Sequence, residues 1–135
     1  MNLSSKIFSQ WERRVVVFKY IYSLLIDDSL SVDMQENKVK EELFEKDKYV
    51  YDVVLDFIKN KSKYELMIKP YLKTNWTIDR IDYIDKSIIF ASLSEYSIHK
   101  IDKKIIIDQA IITAKKYGIT NSYKFINFIL DKVIK

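Results

Sequence analysis

Two adjacent side chains near the end of the chain, Lys124 and Phe125, are of the types that bind single-stranded RNA. Aromatic rings stack on unpaired bases, and basic side chains among them contact phosphates. On a helical wheel, Phe125 lies at the edge of an apolar stripe and Lys124 lies opposite it. Phe128 points well away from that stripe, and packing of its ring against another helix is an equally good interpretation. The sequence thus offers a candidate RNA-binding surface at the start of a helix.

These residues belong to the second of two helices predicted between Ile105 and Lys135. The first helix has apolar residues at the i, i+3, i+4, i+7 spacing, namely Ile107, Ala110, Ile111 and Ala114. Gly118, the only glycine of the chain, follows it where a left-handed C-cap is expected. Polar residues that can cap the next helix come after it: Thr120, Asn121 and Ser122. That helix has one apolar face, formed by Ser122, Ile126, Ile129, Leu130 and Val133.

The composition of the whole chain favours an all-α fold. One glycine and one proline among 135 residues leave little material for β-hairpins. With 48% hydrophobic residues the chain can bury a substantial core. Its length is that of one domain or of two tight subdomains.

The earlier part of the chain divides into further helical segments. A first helix is predicted from a Ser9 cap to about Ile26, with a core stripe of Val17, Phe18, Ile21, Leu24 and Leu25. Arg14 lies one turn before that stripe on the same side, and we expect it to emerge where the core ends. A second helix is predicted from Ser31 or Asn37 to Phe44.

The middle of the chain carries three more predicted elements. Lys46 to Asn60 has helical spacing, and Leu66 to Leu72 follows as a kinked helix or a first turn around Pro70. A connector places Trp76 in the core. A long central helix begins at Asp82 or Asp85 and runs to about Tyr96, and Asp102 caps the helix after it.

Several classes of catalytic and metal site are excluded by the sequence. Cysteine is absent and His99 is the only histidine, so a zinc site of Cys and His and a disulfide are both ruled out. No phosphate-binding glycine loop and no cysteine nucleophile occur. His99 lies in a polar turn beside Lys100, which predicts a surface histidine. We expect no catalytic residues, no metal and no cofactor.

The sequence also predicts a cytoplasmic protein. No signal peptide is recognisable near Met1, and no apolar run approaches the length needed to span a bilayer.

Charge is unevenly distributed along the chain, whose net charge is +4. From residue 100 to 135 there are eight lysines against three aspartates, and the first 18 residues are also basic. The middle is acidic. Two basic ends that meet in space would form an anion-binding face, although solvated helix surfaces explain the same pattern.

The C-terminal segment resembles a known family signature. It reads IIIDQAIITAKKYGITNSYKFINFILDKVIK. The NusB family has roughly V-I-N-E-A-V-E-L-A-K-x-[FY]-G, a short loop, and K-F-V-N-G-V-L-D-K. The matching residues are Ile107, Ala110, Ala114, Lys115, Gly118, Ser122, Lys124, Phe125, Asn127, Leu130, Asp131 and Lys132. The chain differs at Asp108, Gln109, Asn121 and Phe128.

Upstream segments also resemble the family. The family's W-x-L-D-R, V-D-R-A-I-L and Y-E-L blocks fall on Trp76, Asp79, Arg80, Asp85, Ile88 and Glu95. Its A-R-E-x-A-x-Q-x-L-Y helix falls on Arg14 and the Ile21–Tyr22 pair. The resemblance is strong after Lys69 and weak between Asp27 and Lys63.

The resemblance implies a fold and a function. The fold would be a NusB-like helical bundle of about seven helices in two small subdomains, residues 1–63 and 64–135. The function would be transcription antitermination, in which such proteins bind boxA-like single-stranded RNA together with NusE, a small-subunit ribosomal protein, within the transcription complex. The resemblance implies no enzymatic chemistry.

The resemblance also implies which residues contact RNA. Carried over by position, these are Arg13, Arg14 and Tyr22 from the first helix and Ser122, Lys124 and Phe125 from the last. Asp85 falls where the family has an acidic residue near the same surface. Asn121 replaces an acidic residue at the last helix cap, which favours anion binding there.

Two alternatives stay open at the level of sequence. The first is a NusB-like domain used elsewhere, as at the N-terminus of some RNA cytosine methyltransferases, although this chain is too short to include their catalytic domain. The second is a protein-interaction subunit without independent RNA binding, perhaps a homodimer that masks its basic face.

Overall fold

A computed structural model describes residues 10–74 and 76–135, which form six α-helices and no strand. The helices are α1 (Gln10–Ile26), α2 (Val32–Leu43), α3 (Lys48–Ile68), α4 (Tyr83–His99), α5 (Lys103–Tyr117) and α6 (Ser122–Val133). Two 3-10 turns, Lys69–Tyr71 and Ile78–Arg80, connect α3 to α4. The all-α prediction is confirmed, and the expected number of about seven helices is close to the six described. The predicted Ser9 cap lies outside the described residues.

Side-chain caps begin four of the helices. The hydroxyl of Ser31 accepts a hydrogen bond at the start of α2, and the carboxylates of Asp47, Asp82 and Asp102 do so for α3, α4 and α5. Each oxygen satisfies a backbone N–H that has no partner within its helix, and the aspartates add favourable charge at the positive helix end. The predicted starts of α4 and α5 are therefore confirmed.

Helix α4 is the centre of the bundle. Its residues from Asp85 to Glu95 are all buried, and it packs against α1, α3, α5 and α6. The predicted core stripes of α1 and α6 are buried in full. On α5 the prediction was partly wrong, because Ile106 is buried whereas Ile107 and Ile111 are only half-buried.

The two helices predicted between Lys46 and Leu72 are one continuous helix with a kink. The backbone of Asn60 departs from helical values, with φ −122° and ψ 16°. Its side-chain amide donates to the backbone oxygen of Asp56 at 3.1 Å and to Oδ1 of Asp56 at 2.9 Å. Such side-chain competition for a helical carbonyl is a cause of local bending. Pro70 lies in the 3-10 turn after α3, where its missing N–H interrupts no helical ladder. The subdomain division near residue 63 stays a prediction.

The predicted left-handed cap at Gly118 is wrong. Gly118 has φ −82° and ψ 174°, which is extended backbone. The left-handed residue is instead Asn121, with φ 67°, and its side chain makes no capping hydrogen bond. Asparagine tolerates this conformation better than most residues. Glycine at position 118 lets the surrounding atoms approach the backbone closely, because a Cβ there would lie 2.4 Å from Oγ of Ser122 and 2.7 Å from the backbone oxygen of Ala114.

Two aromatic predictions are also corrected. Trp76 does not enter the core: it is 42% exposed, and its ring centroid lies 6.3 Å from that of Phe125. His99 is half-buried at the end of α4, where its ring stacks on Tyr49 at a centroid distance of 3.7 Å. Both outcomes depend on residues distant in sequence.

Candidate nucleic-acid interface

A cleft of about 410 Å³ lies where the 3-10 turns meet the starts of α4 and α6. Four aromatic residues line it, namely Tyr71, Trp76, Phe125 and Phe128. Lys73 and Arg80 line it as well. We call this site the aromatic cleft. Rings beside cations are the combination that stacks unpaired bases and contacts their phosphates.

Three of the predicted RNA-binding residues, Asp85, Ser122 and Phe125, line the aromatic cleft. Phe125 is half-buried, and its ring is tilted by 49° against the exposed ring of Trp76. Lys124, the preceding residue on α6, is exposed. The sequence therefore identified one side of the cleft, and the structure adds Trp76 as the opposing ring.

Asp85 and Ser122 are at the bottom of this region. Their exposed fractions are 5% and 7%, and in the described part of the chain Oδ1 of Asp85 and Oγ of Ser122 have no hydrogen-bond partner. Burial raises the pKa of Asp85 to about 6, the nearby Ser122 hydroxyl opposes this rise, and Asp82 adds to it. Because these two atoms are shielded from solvent, we interpret both residues as positioning residues for the start of α6.

The two predicted arginines are held by carboxylates. Nε of Arg14 lies 2.7 Å from Oε1 of Glu95, and the side chains are 14% and 5% exposed. Nε of Arg13 lies 3.0 Å from Oδ2 of Asp47 in a more exposed pair. Neither arginine lines the aromatic cleft. Tyr22, the third predicted residue of α1, is 36% exposed.

A row of basic and aromatic side chains, missed in the sequence, connects α1 with the start of α6. Its members are Trp11, Lys19, Lys115, Lys116, Tyr117 and Tyr123, and we call it the basic-aromatic row. Nζ of Lys19 lies 4.9 Å from the ring centroid of Tyr117, and Nζ of Lys116 lies 5.1 Å from that of Trp11. Nζ of Lys115 lies 4.7 Å from the ring centroid of Tyr123, the neighbour of Lys124. These are cation–π distances.

The row depends on contacts between α1 and α5. Nε1 of Trp11 donates to Oγ1 of Thr113 at 3.1 Å, and the rings of Phe18 and Tyr117 lie 5.2 Å apart. The available sequence signal was the pair of lysines at the end of α5. Their aromatic partners became visible only once α1 was placed beside α5.

The described residues contain neither a cluster of metal-ligating side chains nor a helix suited to span a membrane. Among residues 10–74 and 76–135, no group of three or more His, Cys, Asp or Glu side chains has the arrangement of a metal site. None of the helices in these ranges combines the length and apolarity required to cross a membrane.

The fold and the cleft define a small helical protein whose candidate site combines exposed rings with cations. A family model described as the NusB family matches residues 12–135. The transcription antitermination protein NusB of Borreliella burgdorferi is 35% identical over 132 residues, covering 92% of each chain. The NusB of Halothermothrix orenii is 32% identical over 129 residues, covering 92% of this chain and 95% of its own.

Solved structures agree with these relatives. The structure of T. maritima NusB has a TM-score of 0.77 and 27% sequence identity, covering 93% of this chain and 89% of its own. A Mycoplasma genitalium protein with structural homology to NusB proteins has a TM-score of 0.68 at 23% identity, covering 86% and 91%, which supports the fold alone. The chain therefore belongs to the NusB family of transcription antitermination factors, as its sequence predicted.

Proposed function

We propose that this antitermination factor binds boxA-like single-stranded RNA together with the ribosomal protein NusE, as a cytoplasmic component of the transcription complex without catalytic activity. The observation that supports this proposal best is the pairing of Phe125 with Trp76 across the aromatic cleft. A base inserted beside them would gain stacking energy, which is worth roughly 1–3 kcal/mol per base. Lys73, Arg80 and exposed Lys124 supply the cations for its phosphates.

The basic-aromatic row extends the proposed RNA path toward α1. Lys115 and Lys116 lie over aromatic rings at the end of α5, so a strand leaving Lys124 meets cations and rings along the same surface. In this proposal Arg14 has a structural role, because its guanidinium is paired and mostly buried. Arg13 remains a candidate phosphate contact, since its pair with Asp47 is partly exposed and such pairs exchange partners at little cost.

The experiment that tests the proposal is a binding titration of a boxA-like single strand against a scrambled strand of the same composition. Each strand is titrated with the chain alone and with the chain plus NusE. We expect preference for the boxA-like strand and a higher affinity with NusE, because the basic surface here is small. If the chain alone does not bind either RNA and the pair binds no better, the interpretation as an interaction subunit without independent RNA binding is favoured instead.

One observation favours the alternative function, that of a protein-interaction subunit or homodimer. Ile105 and Ile112 lie two turns apart on α5 and are 48% and 49% exposed. Exposed apolar residues on one helix face are typical of association surfaces. Light scattering of the free chain tests this alternative, which requires a dimer. Ile112→Lys should dissociate that dimer and thereby restore or increase RNA binding.

A further inference from the structure

A second groove, of about 530 Å³, lies among the latter half of α3, the end of α4, the start of α5 and the end of the chain. Four lysines form its rim, namely Lys63, Lys100, Lys103 and Lys135. We call it the lysine-rimmed groove. Helix α5 has 15 residues and is therefore about 22 Å long. The groove lies at the start of α5 and the aromatic cleft beyond its end. The two sites adjoin at one point, where Nζ of Lys135 on the groove rim lies 3.3 Å from the hydroxyl of Tyr71, which lines the cleft.

The floor of the groove is mainly aliphatic, with the half-buried ring of Tyr96 beside it. Leu93 and Val133 are buried beneath it, and Met67 and Ile101 are half-buried along it. Tyr64 also lines the groove but is buried. Its hydroxyl donates a hydrogen bond to Oδ2 of Asp56 at 2.5 Å, so it is not available to a ligand in the groove. The floor therefore offers apolar contact surface and lacks the paired exposed rings of the aromatic cleft.

The rim retains unneutralised positive charge. Nζ of Lys103 lies 3.3 Å from Oδ1 of Asp131, so this lysine is already paired. Within the described ranges, by contrast, no carboxylate lies within 4 Å of Lys63 or Lys100. Asp102 lines the groove too, but its Oδ1 accepts the backbone N–H of Lys104 at 2.9 Å as the cap of α5. An anionic occupant would satisfy the two free cations.

We infer that the lysine-rimmed groove docks an acidic amphipathic segment of a protein partner. Apolar side chains of the segment would rest on Met67 and Ile101, and its carboxylates would pair with Lys63 and Lys100. This is the arrangement of a helix bound in a groove, in which an apolar face gives affinity and flanking charges fix orientation. RNA is the poorer match, because single strands gain their energy from stacking on exposed rings, whereas the two rings that line this groove, Tyr64 and Tyr96, are buried and half-buried.

The inference does not depend on RNA binding at the aromatic cleft. The groove and the cleft share no lining residue and adjoin only through the Lys135–Tyr71 contact, so the acidic segment can be tested on the chain without RNA.

The test uses the full chain and a labelled synthetic peptide with leucines on one helical face and glutamates on the other. We expect saturable binding by fluorescence anisotropy, with amide shifts at Lys63, Met67 and Lys100 in nitrogen–proton spectra. Met67→Lys removes apolar surface while adding a positive charge. The Met67→Lys variant should bind the peptide about tenfold or more weakly, as expected for losing an apolar side chain that the peptide would bury. Leu66→Lys is the matched control, since Leu66 is 68% exposed and does not line the groove.

The charges are tested separately. Lys63→Glu should weaken peptide binding severalfold at low salt, and the exposed Lys40→Glu on α2 should change it less than twofold. Absence of saturable binding at millimolar peptide, or equal binding to Met67→Lys and Leu66→Lys, would overturn the inference. So would a single-stranded RNA oligonucleotide that shifts the same three amides and displaces the peptide, because the groove would then belong to the RNA path.

Discussion

Arg14 and Glu95 form an ion pair between α1 and α4, with Nε of Arg14 2.7 Å from Oε1 of Glu95. The hydroxyl of Tyr49, on α3, donates to the other oxygen of the same carboxylate. One largely buried carboxylate therefore joins three helices. The pair explains why an arginine can lie on the core side of α1, and it assigns Arg14 to the stability of the bundle.

We expect Arg14→Ala to lower the free energy of unfolding by about 3–5 kcal/mol, because it leaves Glu95 buried without its partner. Urea denaturation measures this change. Arg13→Ala is the matched control on the same helix. Its pair with Asp47 is more exposed, so its loss should cost only about 0–1 kcal/mol. Equal costs for the two variants would contradict the structural role assigned to Arg14.

Gly118 gives a second test of packing, here at the junction of α5 and α6. Gly118→Ala should lower the free energy of unfolding by about 1–3 kcal/mol, as overpacking does, because the new Cβ would meet Ser122 and the backbone of Ala114. Thermal or urea unfolding measures the change. The backbone φ of −82° contributes no strain, so the cost comes from contact alone.

The double variant Gly118→Ala with Ser122→Ala separates these contacts. Removing Oγ of Ser122 relieves the 2.4 Å contact and leaves the 2.7 Å contact with the oxygen of Ala114. We therefore expect the double variant to lose less stability than the sum of the two single variants. Strict additivity would show that the hydroxyl is not what requires glycine.

These two cases mark the limit of what the sequence predicted about the fold. The stripes of α1 and α6 and the caps at Asp82 and Asp102 were correct, because periodicity and capping are local. The role of Gly118 depends on how the chain folds back between α5 and α6, which brings Ser122 and the backbone of Ala114 close to it, and that of Arg14 depends on a carboxylate in another helix. Tertiary contacts of this kind leave no periodic signal.

The candidate site was predicted to a similar extent. Lys124 and Phe125 were identified from residue type and position on the helical wheel, and the structure leaves Lys124 exposed and Phe125 in a cleft. Trp76 was assigned to the core as part of the connector before α4. It is instead 42% exposed and contacts Phe125 on α6, a residue distant in sequence.

The buried carboxyl of Asp85 predicts a pH dependence of stability. Its pKa is about 6 in the folded chain and near 3.8 when unfolded, so the folded state holds the proton more tightly. Its contribution to stability is therefore present at low pH and is lost as the pH rises from about 4 through 6. Asp85→Asn removes the ionisable carboxyl, and with it the fall in stability as the pH rises. Relative to the wild type, the variant should gain up to about 3 kcal/mol between pH 4 and pH 7.

Urea denaturation at several pH values measures that difference, with Glu41→Gln on the exposed face of α2 as the control. The control should change little relative to the wild type over the same range. A constant difference between Asp85→Asn and the wild type from pH 4 to pH 7 would mean that Asp85 titrates normally.

Lys124 tests the electrostatic part of the proposed RNA surface. If its ammonium contacts a phosphate, Lys124→Ala should reduce the slope of log affinity against log salt by roughly 0.7, the value for one contact with a single strand. The loss should be similar for boxA-like and scrambled strands, since phosphates carry no sequence. Lys40→Ala on α2 should leave the slope unchanged. A slope unaltered in both variants would place the RNA elsewhere.

Phe125 tests the stacking part of the same surface. Phe125→Ala should weaken RNA binding by about 1–3 kcal/mol, and the loss should be nearly the same at low and high salt, because stacking releases no counterions. Phe125 also packs on Trp76 and lies half-buried at the edge of the α6 core stripe, so its loss should cost some stability as well. Binding is therefore compared at a temperature where the variant is fully folded.

Phe44→Ala is the matched control for the loss of an exposed aromatic pair. Phe44 is 39% exposed and packs edge-on against Tyr51 at a centroid distance of 5.1 Å, away from the aromatic cleft. It should lower stability without changing RNA affinity. Trp76→Ala should resemble Phe125→Ala in its effect on binding, because a base placed beside the two contacting rings loses stacking surface when either is removed. If Phe125→Ala lowers stability but binds RNA as the wild type does, Phe125 is a core residue and the RNA surface lies along the basic-aromatic row instead.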